Sequence, residues 1–294
     1  MRIGRLLLAG SLVVFAVPAV AQKITALIRG TVTDPSSAVI ARAAVTVTNE
    51  DTGLTRSVTT NSAGIYAFPE LPVGSYRIAV EAAGFTSAVH SKIALNVADV
   101  REVNVQLSTG AVTETVNVVV AAVAVKTVGA EIAGVISGEQ ARELPLNGRN
   151  FIQLTLLQPG VTALEGMNMI NKGIQGGADI SVSGGSTRSN LWLVDGADNV
   201  DHGSNRTILV YPSVDAIEEF KIQRNNYGAE FGQAGGAQVN LVTRSGTNTF
   251  HGSAYYYIRR DSLNSNDYFL EQAHQSKPPL HFDDYGATLG GPII

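Results

Sequence analysis

The chain has 294 residues, a formal net charge of −4 and no cysteine. That length leaves room for about two domains as a soft prior. The acidic balance gives no reason to expect a nucleic-acid partner, and the missing thiols exclude disulfides, thiolate metal sites and a cysteine nucleophile.

Residues 1–21 read MRIGRLLLAGSLVVFAVPAVA. Arg2 and Arg5 precede an apolar run from Leu6 to Val17, and Ala19-Val20-Ala21 supplies small residues for cleavage before Gln22. This is the pattern of a cleaved export signal. The apolar run is shorter than the ~20 residues a spanning helix needs. No later stretch is long enough either, so entry into a membrane would have to use strands.

Residues 22–108 read as short strands separated by turns. Ile28–Thr33, Ala44–Thr48, Tyr76–Val80 and Val103–Leu107 alternate apolar and polar positions. NEDTG at 49–53, NSAG at 61–64 and LPVG at 71–74 are turns, each with a glycine where positive φ is expected. About seven strands in this span predict a small antiparallel sandwich. GTVTD, AAVTVTN and TTNSAGIYAFPELPVGSYRIAVEAAGF, in that order, resemble the carboxypeptidase regulatory-like domain, a transthyretin-like β-sandwich. The resemblance implies a non-catalytic module. A zinc peptidase needs a His/Glu ligand set, and none of His90, His202, His251, His274 or His281 has a Glu at i+3 or a His at i+4.

Residues 109–130 form a linker rich in Val, Ala and Thr. Glu114, Thr115, Val116, Asn117, Val118, Val119 and Val120 resemble a TonB box. The resemblance implies capture by the periplasmic domain of TonB through β-strand addition, in which main-chain hydrogen bonds supply affinity with little side-chain code. The same residues read equally well as a strand of a neighbouring domain.

In residues 131–248, SGEQAREL predicts a helix with Ser137 as N-cap, Gln140 three residues on and Pro145 as a stop. LPLNGRNFIQLTLLQPGV predicts a turn at Asn147-Gly148 and a short apolar element halted by Pro159-Gly160. Ile180–Ser183 and Asn190–Val194 read as strands around a Gly/Ser turn. VDAIEEFKI reads as a short helix turning into a strand. Tyr227, Gly228, Gly232, Gly235 and Gly236 then precede the strand Ala237–Thr243; glycines this dense let backbone approach backbone. A phosphate loop would need a helix after the glycines and a GK[ST] step, and neither is present. VDAIEEFKI, Tyr227-Gly228, Gly235-Gly236 and QVNLVTRSG resemble the plug domain of TonB-dependent outer-membrane receptors. The family usually has Arg-Gly-Pro where this chain has Arg224-Asn225-Asn226. Asp195, Asp198 and Asp201 lack the ligand spacing of a calcium loop and read as turn-forming aspartates.

Residues 249–294 change character. Phe250, Gly252, Ala254, Tyr256 and Ile258 make one face of a strand, and His251, Ser253, Tyr255, Tyr257 and Arg259 the other. After a polar loop of about twenty residues, Tyr285, Ala287 and Leu289 oppose Asp284, Gly286 and Thr288 in the same way. One side for lipid and one for a lumen is the pattern of a membrane strand. Eight of the nineteen aromatics fall in residues 250–294, as a membrane interface favours. Two strands cannot close a barrel, so the expectation is a truncated barrel start whose hairpin is loosely anchored.

The expected architecture is mainly β: a transthyretin-like β-sandwich, an α+β plug domain and the first two strands of an incomplete transmembrane β-barrel. The resemblance implies the N-terminal part of an outer-membrane receptor that imports an unidentified substrate, with its N-terminal domain in the periplasm. TonB, outer-membrane lipid and that substrate are the implied partners; no cofactor, metal or catalytic residue is expected. A secreted or surface-attached β-modular binding protein, an adhesin or glycan binder, is the competing reading.

Overall fold

The computed structural model describes residues 25–110, 115–119, 132–163, 177–205, 207–228, 232 and 234–293. Residues 1–21, expected to be an export signal, lie outside them, as do Glu114 and Val120.

Eight strands build the first unit: β1 (Ala26–Thr33), β2 (Ala44–Asn49), β3 (Thr55–Thr59), β4 (Ile65–Leu71), β5 (Gly74–Glu81), β6 (Ser87–Leu95), β7 (Val100–Glu102) and β8 (Val105–Gln106). A ninth, β9 (Thr115–Val119), follows. One sheet runs β4-β1-β7 with β8 also on β1; the other runs β3-β2-β5-β6-β9. Inward positions at period two, among them Ile28, Val32, Val45, Val47, Ile78 and Val80, form the apolar core between them. Each fully buried aliphatic side chain there is worth about 1.5–3 kcal/mol relative to exposure. The three turn glycines have φ of 73° (Gly53), 70° (Gly64) and 141° (Gly74), as their turns require.

Two details depart from expectation. The sandwich is not wholly antiparallel, because β7 and β8 pair parallel to β1. Val103–Leu107 is not one strand either. Val103 and Asn104 bulge between β7 and β8, and the Val103 carbonyl accepts from the Tyr66 hydroxyl at 2.6 Å. A Cβ on Gly30 would sit 1.8 Å from that carbonyl oxygen, so only glycine fits beneath the bulge.

The second unit holds β10 (Ile132–Ser137), α1 (Gly138–Glu143), β11 (Val161–Ala163), β12 (Ile180–Val182), β13 (Leu191–Val194), β14 (Ala197–Asp198), β15 (Ile217–Asn225) and β16 (Gln238–Thr243). Its main sheet runs β10-β15-β16-β13-β14, with β13 parallel to β16 and the other pairs antiparallel. The Ser137 side chain accepts from the Gln140 N–H, and the Gln140 side-chain oxygen accepts in turn from the Ser137 N–H, completing the capping box. Asn147–Arg149 and Phe151–Leu157 are 3-10 turns, with Gly148 at φ 64°. Phe151 centres the core, with ring contacts to Trp192, Tyr211 and Phe220 at 5.9–6.4 Å.

β17 (His251–Arg260) and β18 (His281–Gly290) form a ten-residue antiparallel hairpin. The connection is not a bare polar loop. It carries a helix, α2 (Tyr268–Gln272), whose N-cap Asp267 accepts from the Phe269 and Leu270 N–H groups.

Candidate coupling strand, plug and barrel wall

The candidate TonB-box residues Thr115, Val116, Asn117, Val118 and Val119 constitute β9. The strand pairs parallel to β6, in register Ser87↔Thr115 through Ser91↔Val119, at one end of the five-stranded sheet. The segment is thus paired as a strand against the neighbouring sandwich.

The glycine-dense stretch is less uniform than its composition suggests. At Gly236 a Cβ would meet Asn190 Oδ1 at 2.5 Å, and its N–H donates to the Ser189 carbonyl at 2.9 Å. At Gly235 the nearest atom would be Ser189 Cβ at 3.5 Å, and at Gly232 nothing lies within 4 Å. Close approach therefore demands glycine at Gly236, which lets Asn190 Oδ1 accept from the Ala237 N–H at 3.0 Å and start the β13–β16 ladder. The Tyr227 hydroxyl donates to the Ala234 carbonyl and closes the loop ahead of it. Gly228 is exposed on that loop.

The three aspartates act through their backbone surroundings. Asp195 accepts from the Thr243 N–H and hydroxyl at 2.8 and 2.7 Å, tying the end of β13 to β16. Asp198 accepts from the Val200 N–H at 2.8 Å and Asp201 from the Gly203 N–H at 3.0 Å, both Asx turns. Hydrogen bonds from Ser204 and Thr207 hold the Asp201 carboxyl below its ordinary value.

Sequence reasoning missed a clasp between the sandwich and the plug-like sheet. The loop after β6, Asn96–Asp99, lies on the polar face of β15. The Val97 N–H donates to both carboxylate oxygens of Glu219, at 3.1 and 3.3 Å. Lys221 Nζ donates to the Val97 carbonyl and lies 3.3 Å from Asp99 Oδ1. The Lys221 and Asp99 side chains are 0% and 1% exposed, so the pair is fully desolvated. Asn96 donates twice to Asp99 Oδ2, at 3.1 and 3.0 Å. Burial pushes the Glu219 carboxyl up to about 7, against the opposing pulls of the Val97 N–H and Lys221. A second contact joins the same units: the Asn248 N–H and side-chain amide donate to the Asp51 and Thr52 carbonyls. Between the two contacts lies a cleft of about 760 Å³, lined by Glu50, Asp51, Ser75, Glu218, Arg244 and His251 among others. The only sequence trace of the clasp is a charged Glu-x-Lys alternation in a strand otherwise buried on both faces.

The hairpin meets the plug-like unit with one face. The Ser213 and Tyr255 hydroxyls are 2.7 Å apart, the Arg149 guanidinium stacks 4.2 Å over the Tyr257 ring, and Arg259 donates to the Asn147 side chain. Arg149 is itself held by Asp215 at 2.7 Å. Tyr255, Tyr257 and Arg259 belong to the polar face expected from the sequence. Tyr256, Ile258, Tyr285 and Leu289 of the opposite face are exposed, at 63%, 47%, 73% and 85%. The hairpin touches the plug-like unit along its inner face, where complementary tyrosine, arginine and asparagine groups meet, while no residue of either strand is buried.

Among the described residues no group of three or more His, Cys, Asp or Glu could hold a metal ion.

A β-sandwich, a plug-like α+β sheet and a strand pair polar inside and apolar outside define the front modules of a strand-walled outer-membrane protein. Comparison with known proteins agrees module by module. The carboxypeptidase regulatory-like domain matches residues 27–108, the TonB-dependent receptor plug domain residues 126–239, and an outer membrane beta barrel domain residues 242–294. The chain is 30% identical over 281 residues to the TonB-dependent transporter Oar of Myxococcus xanthus, a match covering 90% of this chain and 25% of that protein. Among solved structures it is similar to the siderophore receptors PirA of Pseudomonas aeruginosa (18% identity, TM-score 0.39, 55% of this chain and 24% of that one) and of Acinetobacter baumannii (21%, 0.40, 55% and 22%). The chain thus carries a TonB-dependent receptor plug domain between a carboxypeptidase regulatory-like domain and the start of an outer membrane beta barrel domain, and spans about a quarter of the length of the curated relative it matches. The plug and barrel-domain matches place it in the outer membrane, with the sandwich and plug toward the periplasm.

Proposed function

We propose that this chain supplies the plug and the periplasmic handle of an active importer, and that Glu114–Val120 is the segment TonB takes hold of. The protein moves a substrate and makes or breaks no bond in it; energy arrives as a pull delivered from the inner membrane. The observation that carries this reading is the seating of the hairpin: Tyr255, Tyr257 and Arg259 turn inward onto Ser213, Arg149 and Asn147, while apolar side chains face out. A plug against the inner face of a membrane wall needs that polarity. The domain order and the Oar similarity support it. The substrate stays at the level of a solute crossing the outer membrane.

Capture of the protein by the isolated periplasmic domain of TonB tests the handle. Proline at Val116 and Val118 removes backbone donors that an added strand would need, so capture should fall to background. Capture that survives both substitutions would remove Glu114–Val120 from this role.

A further inference from the structure

We infer that the β6 edge of the sandwich is a presenting surface for the coupling segment: it holds Thr115–Val119 extended, so that TonB adds as the next strand of an existing sheet. This rests on the proposal that the segment is the TonB box.

Strand addition requires the captured segment to be extended and in register, and a free chain pays conformational entropy to become so. Here β6 has already imposed that shape on five consecutive residues, Ser87↔Thr115 through Ser91↔Val119. In a strand, successive backbone groups point to opposite edges. Pairing with β6 occupies one edge of β9, and among the described residues β9 is the terminal strand in the order β3-β2-β5-β6-β9. A partner adding beyond β9 gains hydrogen bonds and forfeits none; a partner displacing β9 from β6 only exchanges one set for another. Edge strands are commonly guarded by lysine, proline or a bulge. Thr115-Val116-Asn117-Val118-Val119 has none of these residues and is rich in β-branched side chains. The platform beneath is firm. β6 pairs antiparallel with β5 on its other side, and the loop that follows it is gripped by Glu219 and Lys221. The sandwich thereby gains a task its non-catalytic fold leaves open: it prepares the handle.

The chain has no cysteine, so a disulfide can be toggled cleanly. Val89→Cys with Asn117→Cys, or Ser91→Cys with Val119→Cys, joins directly opposed positions of β6 and β9. In the full-length receptor, the periplasmic domain of TonB should bind the oxidised form at least as tightly as the reduced form. It should also bind the receptor about tenfold or more tighter than a free synthetic peptide of residues 112–122, the benefit of a pre-formed shape. Loss of binding on oxidation, with recovery on reduction, would mean that β9 must leave β6 and would overturn the inference. Equal affinity for receptor and peptide, or failure of both cysteine pairs to form the disulfide, would overturn it too. If TonB bound neither reduced receptor nor peptide, or ignored the proline substitutions, the TonB-box reading itself would fall, an outcome distinct from the others.

Discussion

Two antiparallel strand pairs in this chain, β15–β16 and β17–β18, depart from the apolar-inside pattern in opposite directions. In the first, Glu219, Lys221, Gln223, Gln238 and Asn240 are buried. In the second, Tyr256, Ile258, Tyr285 and Leu289 are exposed. Both pairs alternate at period two, and alternation alone says only that two faces differ. What lies against each face decides which side is costly. Charged groups on β15 are tolerable because the Asn96–Asp99 loop meets them with backbone and carboxylate partners. Apolar groups on β17 are tolerable where the environment is lipid, which is where the outer-membrane barrel-domain match over this segment puts them.

The largest expected effect strikes the buried side of this contrast. Lys221→Met leaves Asp99 buried without its main cation, and should cost about 3–5 kcal/mol in urea unfolding of the chain. Adding Asp99→Asn should return much of it. A loss under 1 kcal/mol would mean that the clasp is solvated and that the contrast with the hairpin is false. Next comes the lipid side. In the intact outer-membrane protein, Ala254→Arg should reduce assembled, heat-modifiable barrel, since arginine facing mid-bilayer costs roughly 2–4 kcal/mol. Ser253→Arg, on the plug side, should assemble normally. Equal behaviour of the two would erase the distinction of faces.

Glu219 gives a pH-dependent test. Its folded carboxyl holds a proton more tightly than the unfolded one, with an apparent pKa of about 7 against an ordinary 4.5. The resulting stabilisation is complete below 4.5 and is lost as pH rises through about 7, on the order of 3 kcal/mol in all. Glu219→Gln should flatten that part of the stability–pH curve; an unchanged curve would assign the slope to another group. The smallest effect concerns the seat of the hairpin. Tyr257→Leu removes the ring under Arg149 and should cost about 0.5–1 kcal/mol. Tyr256→Leu, one residue away on the outer face, should leave the plug contact unaltered in the same unfolding measurement.

Local chemistry was legible in the sequence, and contact across long separations was not. The Ser137–Gln140 capping box, the three sandwich turns and the short helix that turns into β15 depend on residues within a few positions of one another. The inward polarity of Tyr255, Tyr257 and Arg259 was legible because period two survives any surroundings. The Val97 clasp joins positions more than 120 residues apart, and a Glu-x-Lys alternation looks the same whether it faces water or a partner loop. The break at Val103 is dictated by Tyr66 and Gly30 on other strands. α2 was missed although Asp267 sets up its cap, because the surrounding polar and proline residues suggested a loop. Of the glycine cluster, the need for glycine at Gly236 depends on where Asn190 arrives.

The grip on Val97 also constrains how such receptors can be rearranged by recombination or by design. A sandwich transplanted onto a foreign plug brings Asn96–Asp99 with it and requires an acid and a base two positions apart on the recipient's counterpart of β15. Chimeras that exchange both elements together should survive, whereas those that split them inherit a stranded charge at the seam.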